Sequence, residues 1–359
     1  MRTVRNSMII SRLANGLVPY TAGEQPAGKT VKLNTNENPY PPSEKVCEVL
    51  RGFDISRYRL YPQPDADDLR RAIAEYEGVN EENVFVGNGS DEVLSFAFAA
   101  FFGGNDLPVL FADVTYSFYK VFGTLYGVKY KELPLTDDFR LDVNAFLSEK
   151  AGGVVIANPN APTSISERAE DLIKIAEAHS DVAVIIDEAY ADFSHVPSLA
   201  PHTKKYENLL VVKTFSKSRS LAGARCGYAI GDAKLITVLR TVKDCFNSYP
   251  VNAVTAAVAE ASIKDTAYFR DCTRKIIATR DRMSEGLCAL GFDLPDSDAN
   301  FVFAKHEKLS GEYLQNELRK RNIIVRRFGG ERIKDRLRIT VGTDEQTEIL
   351  LAALKEIIG

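Results

Sequence analysis

Residues 213–228 carry the richest set of groups that could do chemistry. They follow the apolar run 209–212 and combine several hydroxyl groups with Lys217 and Arg225. Lys217 lies between small polar residues, where its amine can reach a ligand, whereas Lys213 continues the strand pattern and is a poorer candidate. Arg225 precedes another apolar strand, so we expect its guanidinium to point into the interior or a cleft, where its fork of donors suits a phosphate.

Three further polar clusters follow other apolar runs. Residues 87–92 join a strand to a helix, whose free N–H groups can hold a phosphate, although an ordinary capped helix would look the same. Asp187 directly follows five apolar residues, a costly place for an acid unless it is paired or caps a helix, and Tyr190 could face the same ligand. Residues 158–163 form a rigid turn that offers amide groups.

Together these clusters predict a pyridoxal phosphate site. In open α/β sheets, ligands bind beyond the carboxyl ends of the strands, where all four clusters are expected to lie. A lysine amine, a carboxylate, a phenol, a phosphate cradle and an arginine are the groups that this cofactor requires. The lysine forms an imine with it, the carboxylate pairs with the ring nitrogen and the phenol contacts the 3′ oxygen.

An open α/β sheet must position these clusters. Runs without polar alternation indicate strands buried on both faces of a parallel sheet that helices cover. Such runs occur at 153–157, 182–186 and 209–212, with shorter strands predicted at 83–86 and 107–111. Helices are predicted at 65–77, with Asp65 as the cap, from Ser90, from Tyr116, and at 166–178.

The pattern changes after about Cys245 and predicts a smaller α+β domain. Helices are expected at 267–290, 310–321 and 343–358, and strands at 301–304, 323–325 and 337–341. The expected fold is therefore α/β, with a large domain built on a mostly parallel sheet flanked by helices and a smaller α+β domain. We expect an irregular N-terminal arm over 1–40 that packs on the small domain, the large domain over 41–245 and the small domain over 246–359.

Composition narrows the class of protein. A length of 359 residues suits two or three domains, and the net charge of −4 without a basic stripe argues against nucleic acid as the main partner. No apolar run approaches the ~18–20 residues that span a bilayer, and residues 8–10 are too short an apolar stretch for a secretory signal. The five scattered cysteines and four histidines lack metal-site or disulfide spacing, so we expect a cytoplasmic protein without a metal.

The sequence resembles the fold-type I pyridoxal phosphate aminotransferases, and within them the branch that acts on histidinol phosphate. The resemblance runs from about residue 17 to the end of the chain. Its motifs are Leu-Asn-Thr-Asn-Glu-Asn-Pro at 33–39, Tyr61-Pro62, Thr-Tyr-Ser-Phe-Tyr at 115–119, Asp-Glu-Ala-Tyr at 187–190, Ser216-Lys217, Leu-Ala-Gly-Ala-Arg-Cys-Gly at 221–227, and Leu-Arg-Ile-Thr-Val-Gly-Thr at 337–343.

The resemblance implies roles for the cofactor site. Lys217 would be the Schiff-base lysine and would carry the proton between the substrate and the cofactor. Asp187 would pair with the ring nitrogen, Tyr190 would contact the ring oxygen, and Tyr116 would stack on the ring unless it is simply a core aromatic. The groups that would hold the cofactor phosphate are Ser90, Asp91, Thr214, Ser216 and Arg225.

The resemblance also implies a homodimer and a substrate pocket. Tyr61 would reach the phosphate of the neighbouring subunit's cofactor. Arg338 would bind the substrate α-carboxylate, and Tyr20 and Arg326 would lie near its side-chain phosphate or an equivalent group. Asn38 would belong to the same side-chain pocket. Tyr20 and Tyr61 could instead be ordinary surface or interface tyrosines. Arg327 could replace Arg326, but only one of the two can face the site because neighbours on a strand point to opposite faces.

One motif departs from the family pattern. Most relatives read Asn-Pro-Thr-Gly where this chain has Ala161-Pro162-Thr163-Ser164. The asparagine that usually contacts the ring oxygen is displaced to Asn160, to which we carry the role.

The expected reaction is ping-pong transamination of histidinol phosphate with 2-oxoglutarate, giving imidazole acetol phosphate and glutamate in histidine biosynthesis. A broad-range aromatic amino-acid aminotransferase and a threonine-phosphate decarboxylase would use Lys217 and Asp187 alike. A non-catalytic binding protein of the same fold would have no use for the lysine amine.

Overall fold

The computed structural model describes residues 10–359, except for the side chain of Arg12. The helices of this part of the chain are α1 (Arg12–Gly16), α2 (Glu44–Arg51), α3 (Asp67–Glu77), α4 (Ser90–Ala97), α5 (Phe118–Leu125), α6 (Val143–Ser148), α7 (Ala169–Ala178), α8 (Ala233–Phe246), α9 (Ala253–Lys264), α10 (Thr266–Ala289), α11 (Gly311–Lys320) and α12 (Asp344–Ile358). The strands are β1 (Val31–Leu33), β2 (Val84–Gly87), β3 (Val109–Ala112), β4 (Tyr130–Leu133), β5 (Gly153–Ala157), β6 (Val184–Asp187), β7 (Leu209–Thr214), β8 (Gly227–Gly231), β9 (Phe292–Asp293), β10 (Phe301–His306), β11 (Ile323–Arg327) and β12 (Arg336–Thr340). No helix over residues 10–359 is long and apolar enough to cross a membrane.

The larger sheet has the strand order β2-β8-β7-β6-β5-β3-β4. Strand β8 runs antiparallel to both of its neighbours, and the pairs from β7 through β4 are parallel. Every residue of β5, β6 and β7 is buried, as the continuous apolar runs predict. The α/β expectation is confirmed, and the parallel strands end together at Ala157, Asp187 and Thr214.

The smaller sheet has the order β1-β11-β12-β10-β9. Strand β1 comes from the N-terminal region that we expected to be irregular, and it pairs in parallel with β11, Val31 opposite Ile323. Three residues are too few for an alternating pattern, which explains why the strand was not predicted. The predicted domain bounds at residues 40 and 245 stay predictions, and residues 1–9 of the predicted arm lie outside the described residues.

Several other elements differ from the sequence-based prediction. Asp65 does not cap α3, because the left-handed Ala66 occupies the N-cap position and Asp65 pairs instead with Lys243, with 2.7 Å between Oδ1 and Nζ. Helices α8 and α9 were not predicted. Helix α9 is rich in alanine and shows no clear polar face, so its 3.6-residue period is weak.

A buried ion network lies beneath the carboxyl ends of β6 and β7. The Lys213 amine lies 3.2 Å from Glu77 Oε1 and 3.6 Å from Glu188 Oε2, and all three side chains are less than 10% exposed. The Tyr228 hydroxyl donates to the same Glu77 oxygen at 2.7 Å. Burial alone would lower the pKa of Lys213, but the two carboxylates raise it above its ordinary value. Lys213 is therefore a structural cation, as its place within the strand pattern suggested.

Replacing Lys213 by methionine should destabilise the protein strongly. Removing one partner of a buried ion pair costs ~3–5 kcal/mol because the remaining charges stay buried without a counterion. Chemical denaturation would measure this loss in the free energy of unfolding. Lys234→Met is the matched control, because Lys234 pairs with Glu207 on the surface and such pairs contribute ~0–1 kcal/mol. Equal effects of the two substitutions would contradict the buried role of Lys213.

Candidate active site

A cavity opens beyond the ends of β5, β6 and β7. Its empty volume is about 800 Å³, which includes open solvent at the entrance. Strand ends of the larger sheet line it together with residues 34–36 and two arginines of the smaller sheet. The predicted site residues that the structure brings together here are Tyr20, Ser90, Asp91, Tyr116, Asp187, Tyr190, Thr214, Ser216, Lys217, Arg225, Arg326 and Arg338.

Asp187 is the most unusual group of the cavity. It ends β6 and is 5% exposed. The Tyr119 hydroxyl donates to its Oδ2 at 2.9 Å, and the Ala189 N–H donates to Oδ1 at 3.2 Å. Within residues 10–359, no lysine, arginine or histidine forms an ion pair with this carboxylate. Burial raises the pKa of Asp187 to about 6, and the two hydrogen bonds offset this only in part.

This raised pKa has a consequence for stability. The folded-state pKa of Asp187 lies above the ordinary value of 3.8. The folded protein therefore binds the proton more tightly than the unfolded chain, and stability falls as the pH rises from about 4 to about 6. Above that range the ionised Asp187 is a buried anion that would gain from a cationic partner.

An anion cradle lies at the start of α4. The N-terminus of this helix offers the free N–H groups of Ser90 and its neighbours. A Cβ on Gly89 would lie 2.7 Å from Arg225 Nη2, and one on Gly227 would lie 2.3 Å from the Ser90 nitrogen. Only glycine leaves space at these two positions, so the close approach of Arg225 and the helix start depends on both of them.

Hydroxyl groups and Arg225 complete the cradle. Arg225 donates to Ser216 Oγ and to Asp91 Oδ2, both at 3.3 Å. The Ser216 N–H donates to the Thr214 hydroxyl at 3.1 Å. A guanidinium, two hydroxyls and a helix N-terminus therefore converge, which suits a phosphate.

Tyr116 lies beside this cradle. Its hydroxyl donates to Asp91 Oδ1 at 2.7 Å, and burial raises its pKa well above the ordinary value. Its ring lies 6.5 Å from that of Tyr20, which in turn lies 4.4 Å from Phe118. Tyr116 thus lines the cavity and also packs against the hydrophobic core of the larger domain, where its ring lies 5.7 Å from that of Tyr119.

Lys217 carries the amine of the cavity. Its Nζ donates to the Thr35 carbonyl at 3.1 Å and lies 5.7 Å from the centre of the Tyr190 ring. This amine, the Asp187 carboxylate, the Tyr190 phenol and the phosphate cradle share one cavity, as the sequence predicts.

Two arginines of the smaller sheet, Arg326 and Arg338, also line the cavity. Arg338 is half-buried, donates through Nη2 to the Asn34 carbonyl at 2.8 Å and leaves its buried Nε without a hydrogen-bond partner among the described residues. Burial lowers its pKa. Arg326 donates to the carbonyl groups of Thr21 and Ala22 at 2.9 and 3.3 Å. Arg327 donates to Lys334 outside the cavity, so the alternation along β11 places Arg326 at the site.

Comparison with known proteins identifies the family. Residues 28–354 match the family Aminotransferase class I and II. The chain belongs to this family. Histidinol-phosphate aminotransferase 1 of Bordetella parapertussis is 49% identical over 97% of this chain and 98% of that protein. The histidinol-phosphate aminotransferase of Clostridium acetobutylicum is also 49% identical, over 96% of this chain and 97% of that protein.

A solved structure confirms the expected aminotransferase fold. The crystal structure of histidinol-phosphate aminotransferase from Sinorhizobium meliloti in complex with pyridoxal 5′-phosphate superimposes with a TM-score of 0.88. It is 24% identical and covers 99% of both chains.

Asn38 and Tyr61 are two predicted site residues that lie outside the cavity lining. Asn38 donates to the Ser218 carbonyl at 3.0 Å, and its Oδ1 accepts from the Tyr40 N–H. Tyr61 is 82% exposed and stacks on Tyr249 with 4.6 Å between ring centres. Their predicted roles stay predictions.

The structure does not support the predicted cofactor contact of Asn160. Its Oδ1 accepts from the Thr115 hydroxyl at 2.7 Å, and its Nδ2 donates to the Val114 carbonyl and the Thr163 hydroxyl, both at 2.9 Å. Both ends of the amide are thus engaged within the protein. The neighbouring Ala161 lines the cavity in its place.

Two further groups contribute to this aminotransferase site beyond the predicted set. Residues 34–36 place successive partners on Arg338, Lys217 and Tyr190. The motif at 33–39 was noted in the sequence, but nothing in it predicted that the residues after β1 contact side chains of the larger sheet. Tyr119 was noted in the same way, and only the fold brings its hydroxyl to Asp187.

Replacing Tyr119 by phenylalanine should destabilise the cofactor-free protein in a pH-dependent way. The substitution removes a hydrogen bond to the ionised Asp187, which should raise its pKa above about 6. The expected loss is ~1–3 kcal/mol at pH 8 and smaller at pH 5, where the carboxyl is mostly protonated.

Urea denaturation at the two pH values would measure this difference. Tyr126→Phe is the matched control, because the Tyr126 hydroxyl bonds to the neutral Ser95 hydroxyl at 2.7 Å. Its effect should be the same at both pH values. A Tyr119→Phe effect that does not change with pH would contradict the coupling to Asp187.

Proposed function

We propose that the protein catalyses pyridoxal phosphate-dependent transamination between histidinol phosphate and 2-oxoglutarate, in histidine biosynthesis. The observation that carries this proposal is the buried Asp187 carboxylate, which has no ion-pair partner in the described part of the chain and shares one cavity with the Lys217 amine and an anion cradle. The two relatives at 49% identity, both named for this activity, support the choice of substrate.

The residues fit the cofactor at both ends. A protonated ring nitrogen would give Asp187 the cation that it lacks, and the start of α4 with Thr214, Ser216 and Arg225 would hold the phosphate. When bound, the cofactor supplies a ring that withdraws electrons and stabilises negative charge at the substrate α-carbon. Tyr116 would pack on the ring, and Tyr190 would donate to its oxygen.

The protein's own groups would bind the substrate and move its protons. Lys217 would take the proton from the substrate α-carbon and return it at the next stage, because its amine lies within the cavity. Arg338 would bind the α-carboxylate, because its Nε is buried without a hydrogen-bond partner among residues 10–359. Arg326 and Tyr20, which both line the cavity, would lie near the substrate phosphate.

We also propose that the protein is a homodimer in the cytoplasm. Large apolar and aromatic side chains are exposed around Tyr61, and this kind of patch marks protein interfaces. They are Ile55, Tyr58, Leu60, Phe246 and Tyr249. A second copy would cover this patch and could bring its Tyr61 to the phosphate cradle.

The half-reaction tests the proposed substrate. The protein with bound pyridoxal phosphate would be titrated separately with histidinol phosphate, phenylalanine and threonine phosphate, while its visible absorbance is followed. Histidinol phosphate should convert the cofactor to its amine form far more readily than phenylalanine. Lys217→Ala is the control, and it should bind the cofactor without conversion because it lacks the proton-carrying amine.

The other outcomes each contradict a part of the proposal. Equal or better conversion by phenylalanine would indicate a broad-range aromatic aminotransferase. Release of carbon dioxide from threonine phosphate would indicate a decarboxylase. A spectrum that no amino donor changes, glutamate included, would indicate a binding protein.

Replacing Tyr61 by phenylalanine tests the dimer. Sedimentation should give about twice the mass of one chain. Tyr61→Phe should weaken cofactor binding about tenfold, as expected for one hydrogen bond to a charged group. Tyr58→Phe, on the same exposed surface, is the control and should bind normally. A monomer, or equal affinities of both variants, would contradict the donation of Tyr61 across the interface.

A further inference from the structure

The neighbours of Tyr190 determine whether its hydroxyl donates a hydrogen bond to the cavity or accepts one. A phenol can both donate and accept a hydrogen bond, and its hydrogen turns toward the better acceptor. Tyr190 lines the cavity, and its ring packs edge-on against Phe301 with 5.0 Å between ring centres. This packing holds the ring but leaves the direction of the O–H hydrogen to be decided by hydrogen bonds.

Asn36 is the described residue that contacts this hydroxyl. Its Nδ2 lies 2.9 Å from the Tyr190 oxygen, and the residue is 1% exposed. The backbone of Asn36 has φ +56°, a left-handed conformation that asparagine tolerates better than most residues. Its N–H donates to the Thr340 hydroxyl, and its carbonyl accepts from Asn300 Nδ2, both at 3.0 Å. The side chain is therefore held in one place.

Thr340 decides which end of the Asn36 amide faces Tyr190. The Thr340 hydroxyl is buried, already accepts from the Asn36 N–H and donates to Asn36 Oδ1 at 3.1 Å. Turning the amide over would leave the Thr340 hydrogen without an acceptor among the described contacts, and an unpaired buried donor is costly. The Nδ2 group therefore points at Tyr190, whose oxygen must accept.

We propose that Asn36 is a positioning residue that makes Tyr190 a hydrogen-bond donor to the cavity. Because Asn36 occupies an acceptor site of the phenol oxygen, the O–H hydrogen is directed away from Asn36 and toward the ligand. The inference rests on the proposed function, in which that ligand is the cofactor's ring oxygen. The loop at 160–161 cannot supply this donor, since Asn160 is engaged elsewhere and Ala161 has only a methyl group.

Two substitutions of Asn36 test the polarity. Asn36→Asp keeps the shape but presents a second acceptor, so the Tyr190 hydrogen should turn toward the carboxylate. Asn36→Gly suits the backbone angle and leaves the hydrogen free to rotate. The readout is the pH midpoint of the bound cofactor's visible absorbance, because a donor to the ring oxygen draws electron density from it and loosens the neighbouring proton.

The midpoint should rise by about one pH unit in Asn36→Asp, in line with the strength of a hydrogen bond to a charged group. It should rise less in Asn36→Gly. In a Tyr190→Phe background, both substitutions should leave the midpoint nearly unchanged, because the group through which they act is gone. Asn322→Asp and Asn322→Gly are matched controls at a second left-handed asparagine, φ +59°, outside the cavity.

The outcomes separate this inference from the function on which it rests. Shifts of the same size in the Tyr190→Phe background would overturn the inference, since Asn36 would then act by charge or by general disorder. A wild-type protein with a pH-dependent band that both Asn36 variants leave unchanged would overturn the inference alone. A wild-type protein that shows no cofactor band would overturn the proposed function and the inference together.

Discussion

The rest of the site depends on one carboxylate that is buried without an ion-pair partner among residues 10–359. Asp187 is held at the end of β6, between the parallel and fully buried strands β5 and β7, so it cannot move toward solvent. Burial raises the pKa of this carboxyl, so its ionised form is costly in the protein without a ligand. The Lys213 amine, near the end of the neighbouring β7, is already paired with Glu77 and Glu188. A ligand with a cationic ring atom would complement this carboxylate, and the same cavity contains the anion cradle at the start of α4.

The second constraint is the crossing of residues 34–36 between the two sheets. Strand β1 joins the smaller sheet, and the three residues after it reach Arg338, Lys217 and Tyr190 in turn. The Arg338 guanidinium, the Lys217 amine and the Tyr190 phenol are thus fixed relative to one another through a single short segment. A displacement of this segment would therefore move all three groups together, and in the proposed function it would change substrate binding and proton transfer at once.

The sequence predicted which polar residues share the cavity better than it predicted the contacts that position them. The strands of the larger sheet were predictable because runs such as 153–157 are apolar throughout, and Asp187, Lys217 and Arg225 were predictable because polar groups at strand ends need a reason. Strand β1 was missed because three residues carry no period, and Asn160 was assigned from a motif although its amide turns toward Thr115 and Thr163. Tyr119 and Asn36 act across 68 and 154 residues of chain, so their partners Asp187 and Tyr190 emerge only from the fold.

The most direct test of this account compares the melting temperatures of the wild-type protein and Asp187→Asn at pH 8, each with and without pyridoxal phosphate. The substitution keeps the shape, and the Tyr119 hydroxyl can turn to accept from the new amide. We predict that empty Asp187→Asn melts at a higher temperature than the empty wild type, because a buried anion is gone, and that the cofactor stabilises the wild type much more than the variant. Equal stabilisation of both proteins by the cofactor, or an empty variant no more stable than the wild type, would contradict the central role of the Asp187 charge.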